Sequence, residues 1–316
     1  MSDTRFKERQ CPCCGNSERT RLFELAAARF CVSNWTYASD YPAILGISPD
    51  KCFPIARCCV CGFVYAELEP DATFLAKVYD EVISHEANIA ANENLSNYAS
   101  RMRCVADLLD LAPSHTFHNA LDYGCGLGIT LRLLESTRVR CVGFDISGIR
   151  TRYLANTRIK VAGNYDELRT EGPYDLIICE NVLEHLSDPT EAIGFLASVA
   201  VEGAVLYVSV PDCNSSFIKA QRLADQAGLA LDMSLNPWEH LNYFDLSHLD
   251  QMLERARFLP VPELDLPGVV NIGLRPEKEM MQRLKNACAT GIRLVRYALH
   301  GQTVRSPIGA YYRFKG

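Results

Sequence analysis

A glycine-rich segment, Asp122-Tyr-Gly-Cys-Gly-Leu-Gly128, holds the residues best suited to binding a cofactor. Glycine lets the backbone turn sharply and approach a ligand closely. A predicted helix begins just after the loop, and its first N–H groups have no partner within the helix. Asp145 follows Gly124 by 21 residues, at the end of the next predicted strand, where a carboxylate can accept hydrogen bonds from ribose hydroxyls. The pattern predicts a site for a ribose-bearing cofactor, and taken alone it suits NAD as well as any other.

Two C-x2-C pairs, each followed by glycine, form a second group of residues whose types and spacing suit a chemical role. Four thiolates in tetrahedral geometry are typical of a structural zinc site with no open coordination position. The chain has 14 cysteines, and clustering of some of them in a reducing compartment favours metal over disulfides. Cys13 and Cys59 are alternative ligands, but the predicted zinc ligands are Cys11, Cys14, Cys58 and Cys61.

Apolar strands alternate with helices along the middle of the chain. Strands are predicted around Leu121 and at 141–144, 159–162, 174–179 and 204–210, with shorter ones near 258–262 and 269–274. Helices are predicted at 129–137, 147–156 and 246–256, and 213–236 reads as an insertion. Continuous apolar strands separated by helices favour an α/β fold with a parallel sheet covered on both faces. We therefore predict a Rossmann-like, seven-stranded, mostly parallel sheet.

The same pattern divides the chain into four predicted parts. They are a zinc-binding module at 1–70, a helical lid or linker at 71–113, the α/β domain at 114–275 and a basic helical tail at 276–316. The tail contains a predicted helix at 277–300 with one apolar face. We expect that helix to pack on the body or on a partner subunit, and contact with an anionic membrane surface is the alternative.

Composition and charge exclude several classes of partner. The net charge is −6, although residues 275–316 hold nine Lys or Arg and only two Glu, so the rest of the chain is acidic. An acidic body argues against a nucleic-acid partner, because phosphate binding needs a basic surface. No apolar run is long enough to span a membrane, and the first residues lack the apolar core of a signal peptide. We therefore expect a cytoplasmic protein.

Three segments, LDYGCGLG, VGFDIS and YDLIICENVLEHLSDP, resemble class I S-adenosylmethionine-dependent methyltransferases in order and spacing. The resemblance covers about 71–275 and implies that the cofactor is S-adenosylmethionine. It places Glu180 and Asn181 at the methionine end, Tyr165 or Asp166 at the adenine, and gives Cys125 no redox role. The cofactor-binding residues that the sequence predicts are Asp122, Gly124, Cys125, Gly126, Gly128, Asp145, Ile146, Tyr165, Asp166, Glu180 and Asn181.

Candidates for the acceptor side lie in the segment 237–244. His240 has a suitable intrinsic pKa for a general base, Glu239 could assist it, and Tyr243 could hydrogen-bond the acceptor. Methyltransferases similar to this chain also use such a segment simply as the lead-in to a helix. His185 is a second candidate base, with the alternative that it only shapes the pocket wall.

A zinc-bearing N-terminus before such a domain also resembles sugar C-methyltransferases and related tailoring methyltransferases of polysaccharide and secondary-metabolite clusters. Those sugar enzymes carry an additional large C-terminal domain, which puts a nucleotide-sugar substrate in doubt. We predict methyl transfer to an oxygen, or to a carbon, of a small polar acceptor such as a sugar. The alternatives are an RNA or carrier-protein methyltransferase that recognises its partner through the zinc module, and a non-catalytic cofactor-binding scaffold. Oligomer formation is left open.

Overall fold

The structure is a computed structural model. It describes residues 3–30, 41–84, 86, 89, 95–112, 116–146, 152–229, 231–261 and 308–316. The elements below all belong to these ranges. Within them, no helix is both long enough and apolar enough to cross a bilayer.

The N-terminal region is a small β-rich module. Its strands are β1 (Phe6–Glu8), β2 (Arg19–Ala26), β3 (Cys52–Cys58), β4 (Val64–Ala66) and β5 (Leu68–Pro70), and a short helix, α1, covers Tyr41–Leu45. β2, β3 and β4 pair antiparallel in that order, while β1 pairs with β5. After the module come α2 (Ala72–Lys77), a π-helical turn (Val78–Val82) and α3 (Leu95–Leu111), in agreement with the helical stretch predicted there.

The remaining described strands are β6 (Asn119–Tyr123), β7 (Arg140–Phe144), β8 (Lys160–Ala162), β9 (Tyr174–Glu180), β10 (Ala200–Val210), β11 (Asn242–Tyr243), β12 (Phe258–Pro260) and β13 (Ile308–Phe314). All except β11 form one seven-stranded sheet in the order β12-β13-β10-β9-β6-β7-β8. The five strands from β10 to β8 run parallel, and β13 runs antiparallel to both of its neighbours. The predicted mostly parallel, Rossmann-like sheet is confirmed.

The helices α4 (Ile129–Glu135), α5 (Tyr165–Glu171), α6 (Pro189–Val199), α7 (Ser215–Gln226) and α8 (Leu246–Arg255) follow the strands. All of these except α7 pack on the faces of this sheet, whereas α7 packs in the apolar core of the N-terminal module. Along β6, Leu121 packs with residues of α5, α6 and α8, whereas its neighbour Ala120 packs with residues of α3 and α4. Successive side chains of a strand point to opposite faces. The strands are therefore apolar throughout because both faces are buried.

The C-terminal prediction needs correction. Residues 308–314 are not part of a basic helical tail but form the antiparallel strand β13, inserted between β10 and β12. The side chain of Tyr312 is fully buried, and its hydroxyl donates to Asp250 Oδ1 at 2.7 Å. Aromatic residues favour a pleated, half-buried surface, and the positive charge of the tail obscured that signal. The predicted helix at 277–300 and strand at 269–274 lie outside the described residues.

A second difference concerns the region between β7 and β8. The predicted helix 147–156 falls partly outside the described residues, and its described end is a single 3-10 turn at Arg152–Leu154. That turn still contributes to the site, because Leu154 is buried against the glycine loop.

The N-terminal module and the α/β domain share a sheet. β11 pairs antiparallel with β4, so residues far apart in sequence complete the four-stranded sheet of the module. Trp238, just before β11, is fully buried and makes an edge contact with Phe53 at 5.1 Å between ring centroids. The segment predicted to carry the acceptor-side residues is thus held by the module.

Candidate functional site

The glycine loop connects β6 to α4 and adopts backbone conformations that L side chains rarely reach. Gly124 has φ of +85°, and a Cβ built there would lie 2.2 Å from Val182 Cγ2. Gly128 has φ of +67°, and its Cβ would lie 2.3 Å from Leu154 Cδ2. Only glycine satisfies both the positive φ and the close approach of these neighbours.

We expect Gly124→Ala to destabilise the protein by about 2–4 kcal/mol, because it adds both left-handed strain and overpacking against Val182. The shift of Val182 should also weaken S-adenosylmethionine binding. Gly203→Ala is the matched control, since Gly203 has φ of +78° but nothing within 4 Å of a built Cβ. Urea unfolding and calorimetric titration measure the two effects. Equal losses in both variants would contradict the packing argument.

A cavity opens beside the loop, at the carboxyl ends of β6, β7 and β9. Asp145 lines it, and Asp145 Oδ2 accepts a hydrogen bond from the Gly126 N–H at 2.9 Å. The loop therefore orients the carboxylate predicted to bind the ribose. The other lining residues are Tyr79, Tyr123, Gly124, Phe144, Ile146, Asn181, Val182, His185, Leu186 and Glu239.

A second, more polar cavity adjoins the first and shares Gly124, Asn181, His185 and Glu239 with it. Its other lining residues are Arg101, Asp122, Cys125, Gly126, Leu127, Ile129, Glu180, Glu184, Pro211 and His240. Most of the predicted cofactor residues and three of the predicted acceptor-side residues therefore surround one continuous space. Their individual roles stay predictions.

Arg101, from α3, is a site residue that sequence reasoning missed. Its Nη1 donates to Glu180 Oε2 at 2.6 Å and to Thr130 Oγ1 at 2.8 Å. It thereby ties α3 to the end of β9 and to the first turn of α4. No motif marks this position, because a single arginine in an amphipathic helix reads as a solvated surface residue.

The electrostatics of the second cavity favour a cationic ligand. Burial, reinforced by the charge of Glu180, raises the pKa of Asp122 to about 7, whereas Arg101 lowers it. Asp122, Glu180 and Glu239 all line this cavity. Carboxylates attract the sulfonium and amino groups of S-adenosylmethionine and repel the pyrophosphate of NAD. The carboxylates in this lining therefore favour S-adenosylmethionine over NAD, although Arg101 also lines the cavity and pairs with Glu180 at 2.6 Å.

Several predicted residues are not in the lining. Gly128 ends the glycine loop and packs against Leu154. The Tyr165 hydroxyl lies 2.6 Å from the Tyr123 hydroxyl, and Tyr123 itself lines the first cavity. The Asp166 side chain is 93% exposed and pairs with Arg169 at 2.9 Å. Because Asp166 lies in the first turn of α5 and faces solvent, the structure does not bring it to the cofactor space.

Tyr243 also requires correction. It is buried in the apolar core shared by the N-terminal module and the loop before β11, and its hydroxyl donates to the Leu235 carbonyl at 3.4 Å. Burial raises its pKa well above the ordinary value. Contact with an acceptor would require Tyr243 to leave this core. Tyr243 lies in β11, whereas His240 precedes that strand and lines the second cavity.

His185 and His240 lie against each other, with ring centroids 4.6 Å apart in an edge-to-face arrangement. His185 Nδ1 lies 2.8 Å from the Glu239 carbonyl oxygen, and His240 Nδ1 lies 3.2 Å from that of Ser234. Because a carbonyl only accepts, each Nδ1 must donate its proton. Burial lowers the pKa of both imidazoles, so both are neutral at pH 7, each with a lone pair on Nε2.

The four predicted thiolate ligands come together at the edge of the module. One Sγ from each of Cys11, Cys14, Cys58 and Cys61 lies within 4.8 Å of the others. The Cys11–Cys61 and Cys14–Cys58 Sγ distances are both 3.5 Å, near the roughly 3.8 Å edge of a tetrahedral zinc–thiolate site. Cys13 Sγ instead contacts Gln251, and Cys59 Sγ contacts Thr20. The donor set and its geometry therefore fit a zinc ion.

Comparison with known proteins identifies the family of the α/β domain. The family model described as "Methyltransferase domain" matches residues 96–261, a little more than half of the chain. The chain therefore belongs to this methyltransferase family, and it is an S-adenosylmethionine-dependent methyltransferase. The match begins in α3 and ends after β12, so it includes the glycine loop and both histidines.

Curated relatives carry similar names. The chain is 27% identical over 168 residues to the ubiquinone biosynthesis O-methyltransferase of Methylococcus capsulatus, which covers 50% of this chain and 67% of that protein. It is 28% identical to the protein of the same name from Bordetella avium, over 42% of this chain and 58% of that one. The chain thus spans only about three fifths to two thirds of these relatives.

Solved structures with similar folds include an O-methyltransferase family protein from Burkholderia thailandensis, with a TM-score of 0.44 and 16% identity, covering 56% of this chain and 55% of that one. Another is magnesium protoporphyrin IX methyltransferase from Synechocystis with bound S-adenosylhomocysteine. It has a TM-score of 0.41 and 17% identity, and the alignment covers 61% of this chain and 91% of that chain.

Proposed function

We propose that this protein transfers a methyl group from S-adenosylmethionine to a hydroxyl oxygen of a small polar acceptor. The observation that carries the proposal is the pair of half-buried histidines, whose pKa values are lowered, beside the two cavities. A hydroxyl acceptor must lose a proton during transfer, and a neutral imidazole is suited to accept it. The names of the curated O-methyltransferase relatives support oxygen over carbon.

When bound, S-adenosylmethionine supplies a methyl group whose bond to the sulfonium sulfur breaks as its bond to the acceptor oxygen forms. The residues of this chain position the reacting groups and move the proton. Asp145 would bind the ribose, and the carboxylates around the second cavity would hold the cationic end of the cofactor. His240 would accept the hydroxyl proton at Nε2, while the Ser234 carbonyl fixes its tautomer through Nδ1.

We further propose that the four cysteines bind a structural zinc ion. A four-thiolate site leaves no position for a reacting ligand, so its role is to fold the module. The module in turn holds the loop 237–244 through β11 and Trp238. The module would therefore support the acceptor-side wall of the cavity and would not take part in the chemistry. The resemblance to sugar C-methyltransferases keeps a sugar among the candidate acceptors.

Replacing His240 by Ala should lower turnover by about 10²–10⁴-fold, the usual contribution of general base catalysis, while S-adenosylmethionine affinity changes little. S-adenosylhomocysteine release measures turnover, and calorimetry measures affinity. His118→Ala is the matched control, because the His118 side chain is 88% exposed and lies outside both cavities. Full turnover in the His240 variant would rule it out as the base.

The acceptor class can be tested with tritium-labelled S-adenosylmethionine and a cell extract. After incubation, the extract is separated by size and the label is counted in each fraction. The proposal expects the label in the small-molecule fraction. Label in RNA or protein would favour a macromolecular acceptor. Intact cofactor binding without transfer to any fraction would favour a non-catalytic scaffold.

A further inference from the structure

Glu184 is the least satisfied charged residue near the site. Its side chain is only 2% exposed, it lines the second cavity, and both of its carboxylate oxygens lack a hydrogen-bond partner. An ionised carboxylate that is buried without a hydrogen-bond donor has a much higher free energy than the same carboxylate in water. Among the residues that the structure describes, no side chain donates a hydrogen bond to Glu184 when it is ionised.

The two histidines beside Glu184 present nitrogen lone pairs, not N–H groups, on the side of the ring that faces the cluster. His185 Nε2 lies 3.9 Å from Glu184 Oε1. One ligand atom from each of Glu184, His185 and His240 lies within 4.8 Å of the others. Since both Nδ1 atoms donate to backbone carbonyls, each Nε2 carries a lone pair. Three acceptor groups thus converge, and no donor from the described part of the chain lies between them.

This arrangement matches the ligand chemistry of a divalent metal ion. Two imidazoles and one carboxylate form a common three-ligand set, which leaves further coordination positions open. Metal-binding histidines usually donate their other ring N–H to a backbone carbonyl or carboxylate, which fixes the tautomer. The Glu239 and Ser234 carbonyls provide this support for His185 and His240.

We propose that Glu184, His185 and His240 bind one divalent cation at the acceptor side of the cavity, separate from the four-cysteine site. An open coordination position would take the acceptor hydroxyl oxygen, a role that rests on the proposed methyl transfer. An acceptor with a second oxygen next to that hydroxyl could chelate the ion through both. A histidine that binds the cation through Nε2 cannot also be the base through that atom. In the metal-loaded enzyme, the cation would instead acidify the hydroxyl, whose proton would pass to bulk water.

The test is direct measurement of Mn²⁺ binding to the full-length chain. Mn²⁺ prefers oxygen and nitrogen ligands, so the thiolate site should not take it up. The protein is first dialysed against a chelator and its retained zinc is measured. Mn²⁺ is then titrated while electron paramagnetic resonance reports the free ion. We expect one Mn²⁺ per chain, which Zn²⁺ displaces, and Mn²⁺ addition should raise kcat/KM.

Glu184→Gln keeps the shape of the side chain and should weaken Mn²⁺ binding by at least about tenfold, as should His240→Ala. Glu254→Gln is the matched control, because Glu254 is exposed on α8 and lines neither cavity. Retained zinc and thermal unfolding show whether each variant is folded. Absence of Mn²⁺ binding to the unmodified protein, or binding unchanged by both substitutions, would overturn the metal proposal. Turnover that depends on His240 but not on Mn²⁺ would overturn it too, while leaving the proposed methyl transfer intact.

Discussion

Replacing Asp145 by Ala is expected to weaken S-adenosylmethionine binding by about 100-fold or more. A hydrogen bond to a charged group contributes roughly 1.5–3 kcal/mol, and the carboxylate would accept one from each ribose hydroxyl. The substitution also removes the bond from the Gly126 N–H to Asp145 Oδ2, which orders the glycine loop. Calorimetric titration with S-adenosylmethionine and S-adenosylhomocysteine measures the loss for both ligands.

Asp166→Ala provides the control for that experiment. It removes an aspartate that the sequence also placed at the cofactor, but the structure leaves its side chain in solvent. We expect its affinity to match that of the unmodified protein. If Asp145→Ala binds normally, the ribose assignment is wrong. If Asp166→Ala loses affinity as strongly, α5 contacts the cofactor and the placement of Asp166 does not describe the bound state.

Loss of the proposed zinc ligands should have the second large effect. A structural zinc contributes roughly 10–16 kcal/mol in small domains, as much as the entire stability of a typical domain. Cys58→Ser should therefore release the metal, unfold the module and lower turnover by more than about 100-fold. The reason is that β4, directly after the metal site, holds β11 and the loop before it. Metal analysis, circular dichroism and S-adenosylhomocysteine release measure the three effects.

The neighbouring Cys59 offers a closely matched control. Its Sγ contacts Thr20 Oγ1 at 3.5 Å and lies outside the four-cysteine cluster. Cys59→Ser should retain zinc, secondary structure and turnover. Equal metal loss in both variants would show that the ligand set is wrong. A metal-free Cys58 variant with normal turnover would show that the module does not support the acceptor side.

The central sheet and the glycine loop could be predicted because their signals are local. Each buried parallel strand is a short apolar run, and the loop needs several glycines within a few residues. The two C-x2-C pairs are equally local, and the convergence of the sulfur atoms supports Cys58 rather than Cys59 as the proposed ligand. Strand β13 was missed because its aromatic residues, which favour a strand, follow a segment whose positive charge indicated an exposed tail.

The acceptor side was harder to predict because it depends on contacts between distant segments. The sequence marks His185 and His240 as candidates, but not that they meet at 4.6 Å between ring centroids. It also does not reveal that Glu184 is buried beside them, or that Arg101 reaches in from α3. Tyr243 was misplaced because its neighbours could not be known before β11 was seen to join β4.

Arg9 gives this long-range organisation a kinetic consequence. The buried guanidinium donates to the Leu241 carbonyl at 2.9 Å, to Asn242 Oδ1 at 3.0 Å and to the Ser187 carbonyl at 2.7 Å. These contacts span sequence separations from 178 to 233 residues. Closing such long loops costs entropy before any contact compensates it, and proteins rich in such contacts fold slowly. Arg9 must therefore wait for a segment that is synthesised 178 to 233 residues later, and the acceptor side should fold late.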